Sequence, residues 1–331
     1  MKAAYIEDTG PASNLRYGDL PDLPPPSGRQ VLVKVGAAAL NPVDTFVRSG
    51  AIEMPLPKPF IVGCDLAGEV VAAGPEAVRF KPGDRVWGSN QGLLGRQGTF
   101  AEFVCSDEDW LYPTPDDVSD ADAAAMALVG ITAHLGVVQR GRLAPGETAL
   151  VIGGTGGVGS AVVGMAKAIG ARVIATAGGA EKAALARRLG ADEVIDYTAE
   201  DIAARVKELA PHGVDLFWET RLQPDFDLAV DLLARRGRMI LMAGRKARAE
   251  FPVGPFYVKG AELHGFVMFL EPADAQRAAA GDINRWMAEG KLRANIDRTL
   301  PLAAAAEAHR LQEESTAGGK NALHGKIVVV P

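Results

Sequence analysis

The chain has 331 residues, 48% of them hydrophobic and 23% charged, an ordinary globular composition and too much chain for one comfortable core, so two domains are expected. A formal net charge of −6 and a pI near 5.5 argue against nucleic-acid binding and against an anionic membrane surface. No basic segment precedes an apolar stretch at the N-terminus, and no run of about 18 uninterrupted apolar residues stands out, so nothing is expected to span a membrane. The two cysteines, Cys64 and Cys105, are too few for a disulfide framework and point to a reducing cytoplasm.

In chain order, short β runs come first, at Val31 to Val35, Gly68 to Ala73, Arg85 to Trp87 and Thr99 to Val104. They alternate with Pro and Gly clusters such as PDLPPPSG and KPGDRV, the punctuation of a small barrel or folded sheet. From Asp120 the segment DADAAAMALVGITAHLGVVQ is Ala-rich and helical, with Ser119 or Asp120 as N-cap. A β-rich run from Ala149 to Ile152 then enters a glycine turn, followed by a helix over about Val158 to Ile169 and a strand at Arg172 to Thr176. Further on, helices are expected at Glu181 to Leu189, Glu200 to Leu209 and Phe226 to Ala234. Strands are expected at Glu193 to Ile195, Leu216 to Trp218, Arg238 to Met242 and Leu263 to Phe269. Their apolar character suits a parallel sheet buried on both faces. Two helices, a loop in GGKNALHGK and a last strand, Lys326 to Val330, close the chain.

The glycine turn is the most informative element. Gly154, Gly156 and Gly159 stand at G-x-G-x-x-G spacing. Such a turn needs one glycine to bend, one to let backbone approach a pyrophosphate and one to let helix pack on strand, while the helix N-terminus supplies N–H donors. The spacing alone is weak in a chain with 38 glycines, but between a strand and a helix it marks a dinucleotide site. NAD-selective versions carry an Asp or Glu about twenty residues on, at the end of the second strand. Thr176, Ala177, Gly178 and Gly179 stand there instead, with Lys182 in the next helical turn. Small residues leave room for a 2′-phosphate and Lys182 attracts it, so NADPH is expected; a solvated helix lysine is the plain alternative.

Over nearly the whole chain the segments NPVDTFVRSG (41–50), VGCDLAGEVVAAGPEAVRFKPGDRV (62–86), GGTGGVGSAVVGMAKAIGARVIATAG (153–178) and GKIVVVP (325–331) resemble the medium-chain dehydrogenase/reductase superfamily. More narrowly, they are similar to its zinc-free quinone oxidoreductase branch, the zeta-crystallin-like proteins. The resemblance implies an α/β protein with a GroES-like β-barrel catalytic domain over residues 1–122 and a Rossmann doubly wound parallel-sheet domain over 123–262. A C-terminal segment over 263–331 would return to the catalytic domain, with substrate in the cleft between domains. Carried over residue by residue, it implies that Thr155, Gly156, Gly157 and Val158 hold the pyrophosphate. Gly178, Lys182 and Tyr197 would surround the adenosine ribose and its 2′-phosphate. Leu241, Met242, Ala243 and Gly244, with Phe266, Val267 and Met268, would present backbone to the nicotinamide side. Phe46 would lie near the cofactor, and Asn41, Asp44 and Thr132 would line the nicotinamide and substrate pocket as candidate catalytic residues. Asn41 has the alternative of shaping a turn before its proline, Asp44 of capping the next helical turn, and Tyr197 of simple packing.

In zinc-dependent relatives a Cys stands where this chain has Asn41, and a His-Glu pair where it has Cys64-Asp65. Two adjacent donors without a third make no catalytic zinc site, so no metal is expected and Cys64 reads as a buried filler. The chain departs from its relatives in three places. Phe46 replaces a common Tyr, Glu219-Thr220-Arg221 replaces an Asp-x-x-Gly, and His134 replaces a frequent Tyr, with a structural histidine expected there over a proton carrier. Without zinc to polarise an isolated carbonyl, conjugated acceptors are favoured, so the expectation is NADPH-dependent reduction of quinones or α,β-unsaturated carbonyls by a homodimer. An enoyl-thioester reductase of the same superfamily, or a non-catalytic NADPH-binding protein of crystallin-like or RNA-binding type, remains open from sequence.

Overall fold

Along Gln30–Ala39 burial alternates as far as Gly36, and the pleat turns Val31, Val33 and Val35 into a core while Lys34 faces out. The computed structural model containing this strand describes residues 1–316 and 322–331. In chain order the elements begin with β1 (Lys2–Ile6), β2 (Arg16–Asp19), β3 (Gln30–Ala39), α1 (Pro42–Arg48), β4 (Phe60–Ile61), β5 (Asp65–Ala73), β6 (Arg85–Gly88), β7 (Phe103–Asp107), β8 (Leu111–Pro113) and α2 (Asp120–His134). There follow β9 (Thr148–Val151), α3 (Gly157–Ile169), β10 (Arg172–Ala177), α4 (Ala180–Arg188), β11 (Glu193–Asp196), α5 (Ile202–Leu209), β12 (Val214–Glu219), α6 (Phe226–Leu232), β13 (Leu233–Leu241), α7 (Val253–Lys259), β14 (Glu262–Gly265) and α8 (Ala273–Ala288). The chain ends with β15 (Ile296–Pro301), α9 (Ala305–Thr316) and β16 (Lys326–Val330).

Two compact units result, one of residues 1–128 with 294–331 and one of residues 129–293. The first holds a small sheet in the order β2-β1-β4 and a larger one, β15-β16-β3-β5-β6-β8, with β7 also paired to β3. Its core gathers Val31, Val33, Leu40, Leu66, Val70, Val86, Phe100, Ile327 and Val329. The second unit is the expected parallel sheet, in the order β11-β10-β9-β12-β13-β14. Leu150, Ile174, Ile195, Phe217 and Met239 lie in its core.

Residues 263–293, expected to go with the C-terminal segment, group with this second unit, because β14 completes its sheet through parallel pairing with β13. The strand expected to reach Phe269 stops at Gly265, where the pairing with Leu241 ends. A single helical turn at Met268–Leu270 follows. Ser119 is the cap of α2, its Oγ accepting the Asp122 N–H at 3.1 Å. The stretch Asp120–Arg140 is long and apolar enough by composition to cross a membrane, and most of it is buried inside the protein. Counting uninterrupted apolar residues missed it, because its few polar residues are spaced through the helix. Within the second unit a Cβ at Gly136 would run into the Trp218 ring, which is why a glycine stands there. The segment GGKNALHGK falls partly on residues outside those described, and its Lys326 is already in β16.

Candidate functional site

In the second unit every parallel strand ends at the same edge of the sheet, and the crevice beyond strand C-termini is where such sheets bind ligands. Beyond β9 the chain turns at Gly153, with φ +75°, and enters α3 with Gly156 as N-cap. A Cβ on Gly154 would stand 2.7 Å from the Ala175 side chain, and one on Gly159 would run into the Gly153 carbonyl. Gly156 is exposed, and a Cβ there would meet nothing closer than 3.6 Å. Two glycines thus permit packing and the third leaves an open approach. Thr155 is buried, and Gly157 and Val158 are half-buried at the start of α3, whose first N–H groups lack helical partners and point along a favourable dipole toward an anion.

Two hydroxyls hold this turn, and sequence reasoning missed both. Thr176 Oγ1 accepts the Gly153 N–H at 3.0 Å, and the Gly154 N–H donates to Thr176 O at 2.9 Å. Thr220 Oγ1 donates to Ile152 O at 2.7 Å. Beside Thr220, the wholly buried Glu219 receives Arg221 through Nε and Nη2 at 2.9 and 2.6 Å. The departure Glu219-Thr220-Arg221 therefore builds a closed ion pair next to the glycine turn.

At the end of β10, Gly178 gives its side-chain space to Tyr197, whose hydroxyl would be 2.5 Å from a Cβ there. The Gly179 N–H donates to Asp196 Oδ1 at 2.9 Å. That carboxylate also takes the Thr198 hydroxyl at 2.7 Å, which with the backbone donors holds its pKa below the usual carboxylate range. Lys182 lies in the first turn of α4, largely covered. Leu241, Met242, Ala243 and Gly244 leave β13 half-buried, while beyond β14 Phe266 is half-buried, Val267 exposed and Met268 buried. Thr132 is buried on α2, and His134 places Nε2 2.9 Å from Asp282 Oδ2. Burial holds the His134 pKa below the ordinary imidazole value.

In the first unit Asn41, Asp44, Cys64, Asp65 and Lys326 form a buried polar cluster. It forms where β3 ends, α1 begins, β5 begins and β16 begins. The Asn41 N–H donates to Asp44 Oδ2 at 2.7 Å, and Asn41 Nδ2 donates to Asp65 Oδ2 at 2.8 Å. Lys326 Nζ donates to Asn41 Oδ1 and lies 3.4 Å from Asp65 Oδ2. Burial pushes Asp44 up to about 7, helped by the charge of Asp65 and opposed by the Cys64 thiol, the Asn41 N–H and Lys326. Burial likewise raises Asp65 and lowers Lys326. Phe46 is half-buried on α1.

The comparisons with known proteins agree with this picture. Residues 27–116 match the alcohol dehydrogenase GroES-like domain, and residues 157–281 match the zinc-binding dehydrogenase family. The quinone oxidoreductase of Sus scrofa is 31% identical over 87% of this chain and 86% of its own. The chain belongs to the quinone oxidoreductases of the medium-chain dehydrogenase/reductase superfamily. Among solved structures, an NAD-dependent alcohol dehydrogenase superposes with a TM-score of 0.90 and 33% identity, covering 100% of both chains. The Escherichia coli quinone oxidoreductase complexed with NADPH gives 0.86 and 25%, again over 100% of both.

As a member of this family the protein is an oxidoreductase of small molecules that uses a nicotinamide cofactor, with a GroES-like unit and a Rossmann unit. The zinc-binding dehydrogenase model that matches residues 157–281 implies zinc by its name, and the residues present do not fit it. Among the described residues no group of three His, Cys, Asp or Glu side chains is arranged to hold a metal ion. The nearest arrangement already contains the Lys326 amino group bonded to Asn41 and Asp65. A donor amine sits where a cation would need lone pairs, and burial pushes the Cys64 thiol well above its usual range, against the thiolate zinc prefers.

Proposed function

We propose that this quinone oxidoreductase reduces quinones or α,β-unsaturated carbonyls with NADPH and without a metal. The observation that carries the cofactor choice is the end of β10: Gly178 and Gly179 in place of the strand-end carboxylate of NAD-selective sites, Tyr197 against Gly178, and Lys182 one helical turn on. Asp196 takes the Gly179 N–H and Thr198 through Oδ1 and keeps its negative charge beside this site, so the Lys182 charge has to offset it for a 2′-phosphate to bind. The glycine turn and the first N–H groups of α3 suit the pyrophosphate, and the ends of β13 and β14 suit the nicotinamide end. When bound, the cofactor supplies the hydride. The chain's own residues bind and orient. A conjugated acceptor spreads the charge it receives over several atoms, so a few hydrogen bonds replace the Lewis acid a simple ketone would need. Phe46 has no proton to give, which leaves water or the cofactor ribose as donor. Thr132 is the hydroxyl we place beside the acceptor; Asn41, wholly buried between Lys326 and Asp65, and Asp44, buried under the Asn41 N–H, fit a positioning role better.

A homodimer also fits, because β14 is the edge of its sheet and Leu263, Val267 and Leu270 are exposed along and after it. A reducing cytoplasm suits the two free thiols, Cys64 and Cys105. The test of the reading is NADPH oxidation with para-benzoquinone, phenanthrenequinone and an alkenal, run beside NADH. Turnover with NADPH preferred supports it. Lys182→Ala should raise the NADPH KM about tenfold, as for loss of one charge-assisted contact, and leave NADH unchanged. Equal turnover with both nucleotides would sink the cofactor assignment, and turnover confined to simple alcohols would sink the acceptor class.

A further inference from the structure

Lys326 opens β16, which pairs with β3 through Val328 with Ala39 and Val329 with Ala38. The Leu40 N–H extends that pairing to Ile327 O at 2.9 Å. This register delivers the Lys326 side chain to Asn41, the residue just before α1. An asparagine amide has two orientations, and a donor amine accepts only the one that turns oxygen toward it. With Oδ1 on Lys326, the Asn41 NH₂ faces Asp65 Oδ2 at 2.8 Å and Ala39 O at 3.4 Å. The Asn41 backbone N–H meanwhile rests on Asp44, the third residue of α1. At the far end of the same helix the wholly buried Arg48 bonds to Gly10 O and Glu313. Short helices are marginal by themselves, and the seven residues of α1 are fixed from both ends by buried cationic side chains. Between those ends lie Thr45 and Phe46.

We propose that Lys326 is a positioning residue of this enzyme. Its amino group sets the Asn41 amide and the start of α1, and it fills, within a cluster of thiol, carboxylates and amide, the place a divalent cation would take. Only the kinetic arm of the test rests on the reductase reading.

The experiment compares wild type, Lys326→Met and Lys326→Met/Asp65→Asn. In wild type the Asn41 side-chain amide protons should exchange slowly by NMR, and Co²⁺ should give no stoichiometric binding. In Lys326→Met those protons should exchange fast, and the KM for para-benzoquinone should rise about tenfold, as when a supporting contact is lost, with the NADPH Kd unchanged. The double variant should regain part of the lost Tm, since the Asp65 carboxylate that faces the Lys326 amino group is removed with it, yet keep fast exchange and the raised KM. It carries the same readouts where the single variant does not fold. A Lys326→Met protein that merely melts earlier, with Asn41 exchange and acceptor KM as in wild type, overturns the proposal. So does one Co²⁺ bound per wild-type chain and lost in Asp65→Asn. Should no acceptor be turned over, the reductase reading falls while Asn41 exchange and Co²⁺ binding still decide the role of Lys326.

Discussion

Replacing Asp44 by asparagine should remove one pH-dependent contribution to stability. The folded state holds the Asp44 carboxyl at about 7, against 3.8 for a free aspartate, chiefly because the group is buried and also because Asp65 lies near. About three pH units at about 1.4 kcal/mol each amount to about 4 kcal/mol. The folded chain holds this proton more tightly than the unfolded one. The contribution is therefore fully present below about pH 4 and is lost as pH rises to about 7, where the native carboxyl ionises inside the protein. The variant Asp44→Asn keeps an oxygen for the Asn41 N–H and does not titrate. Its stability minus that of wild type should thus grow by about 4 kcal/mol between about pH 4 and pH 8. Urea unfolding followed by tryptophan fluorescence reads this, because the first unit contains the buried Trp87 on β6, and comparison of the two proteins at each pH cancels the other titrating groups. A difference that stays constant over that range, or shrinks with rising pH, would refute the reasoning.

Gly159→Ala puts a methyl group against the Gly153 carbonyl, so nucleotide affinity by calorimetry should fall by at least about tenfold, as for a contact that backbone must move to relieve. Phe46→Tyr restores a hydroxyl on α1; a raised rate with a new pH limb would place that position in proton supply, whereas an unchanged profile would remove it. Prolonged dialysis against a chelator should leave quinone turnover unaltered, and activity lost and then restored by Zn²⁺ would contradict the cluster chemistry described here.

The nucleotide-binding half was largely legible in the sequence, because its signals are local. The G-x-G-x-x-G spacing, the apolar strands on either side and the small residues at Ala177, Gly178 and Gly179 all lie within one strand–helix–strand unit. The hydroxyls that pin the turn were not legible. Thr176 is an ordinary strand residue and Thr220 lies far along the chain, and only parallel pairing of β9 with β10 and β12 brings them to Gly153 and Ile152. Alternation and Gly/Pro punctuation announced the first unit as β-rich, but they carry no pairing information, so the sheet order and the place of residues 263–293 had to come from the structure.

The buried cluster shows the same division. Once the family resemblance marked the positions, the sequence was enough to expect a poor metal site at Asn41 and Cys64-Asp65, since ligand type is a property of side chains. What stands there in place of a metal came from the fold: Lys326 is 285 positions from Asn41, and no local pattern relates them. Strand register is a long-range choice made by burying one face of β16 against β3, and that burial alone brings the lysine, the amide and the carboxylate within bonding distance.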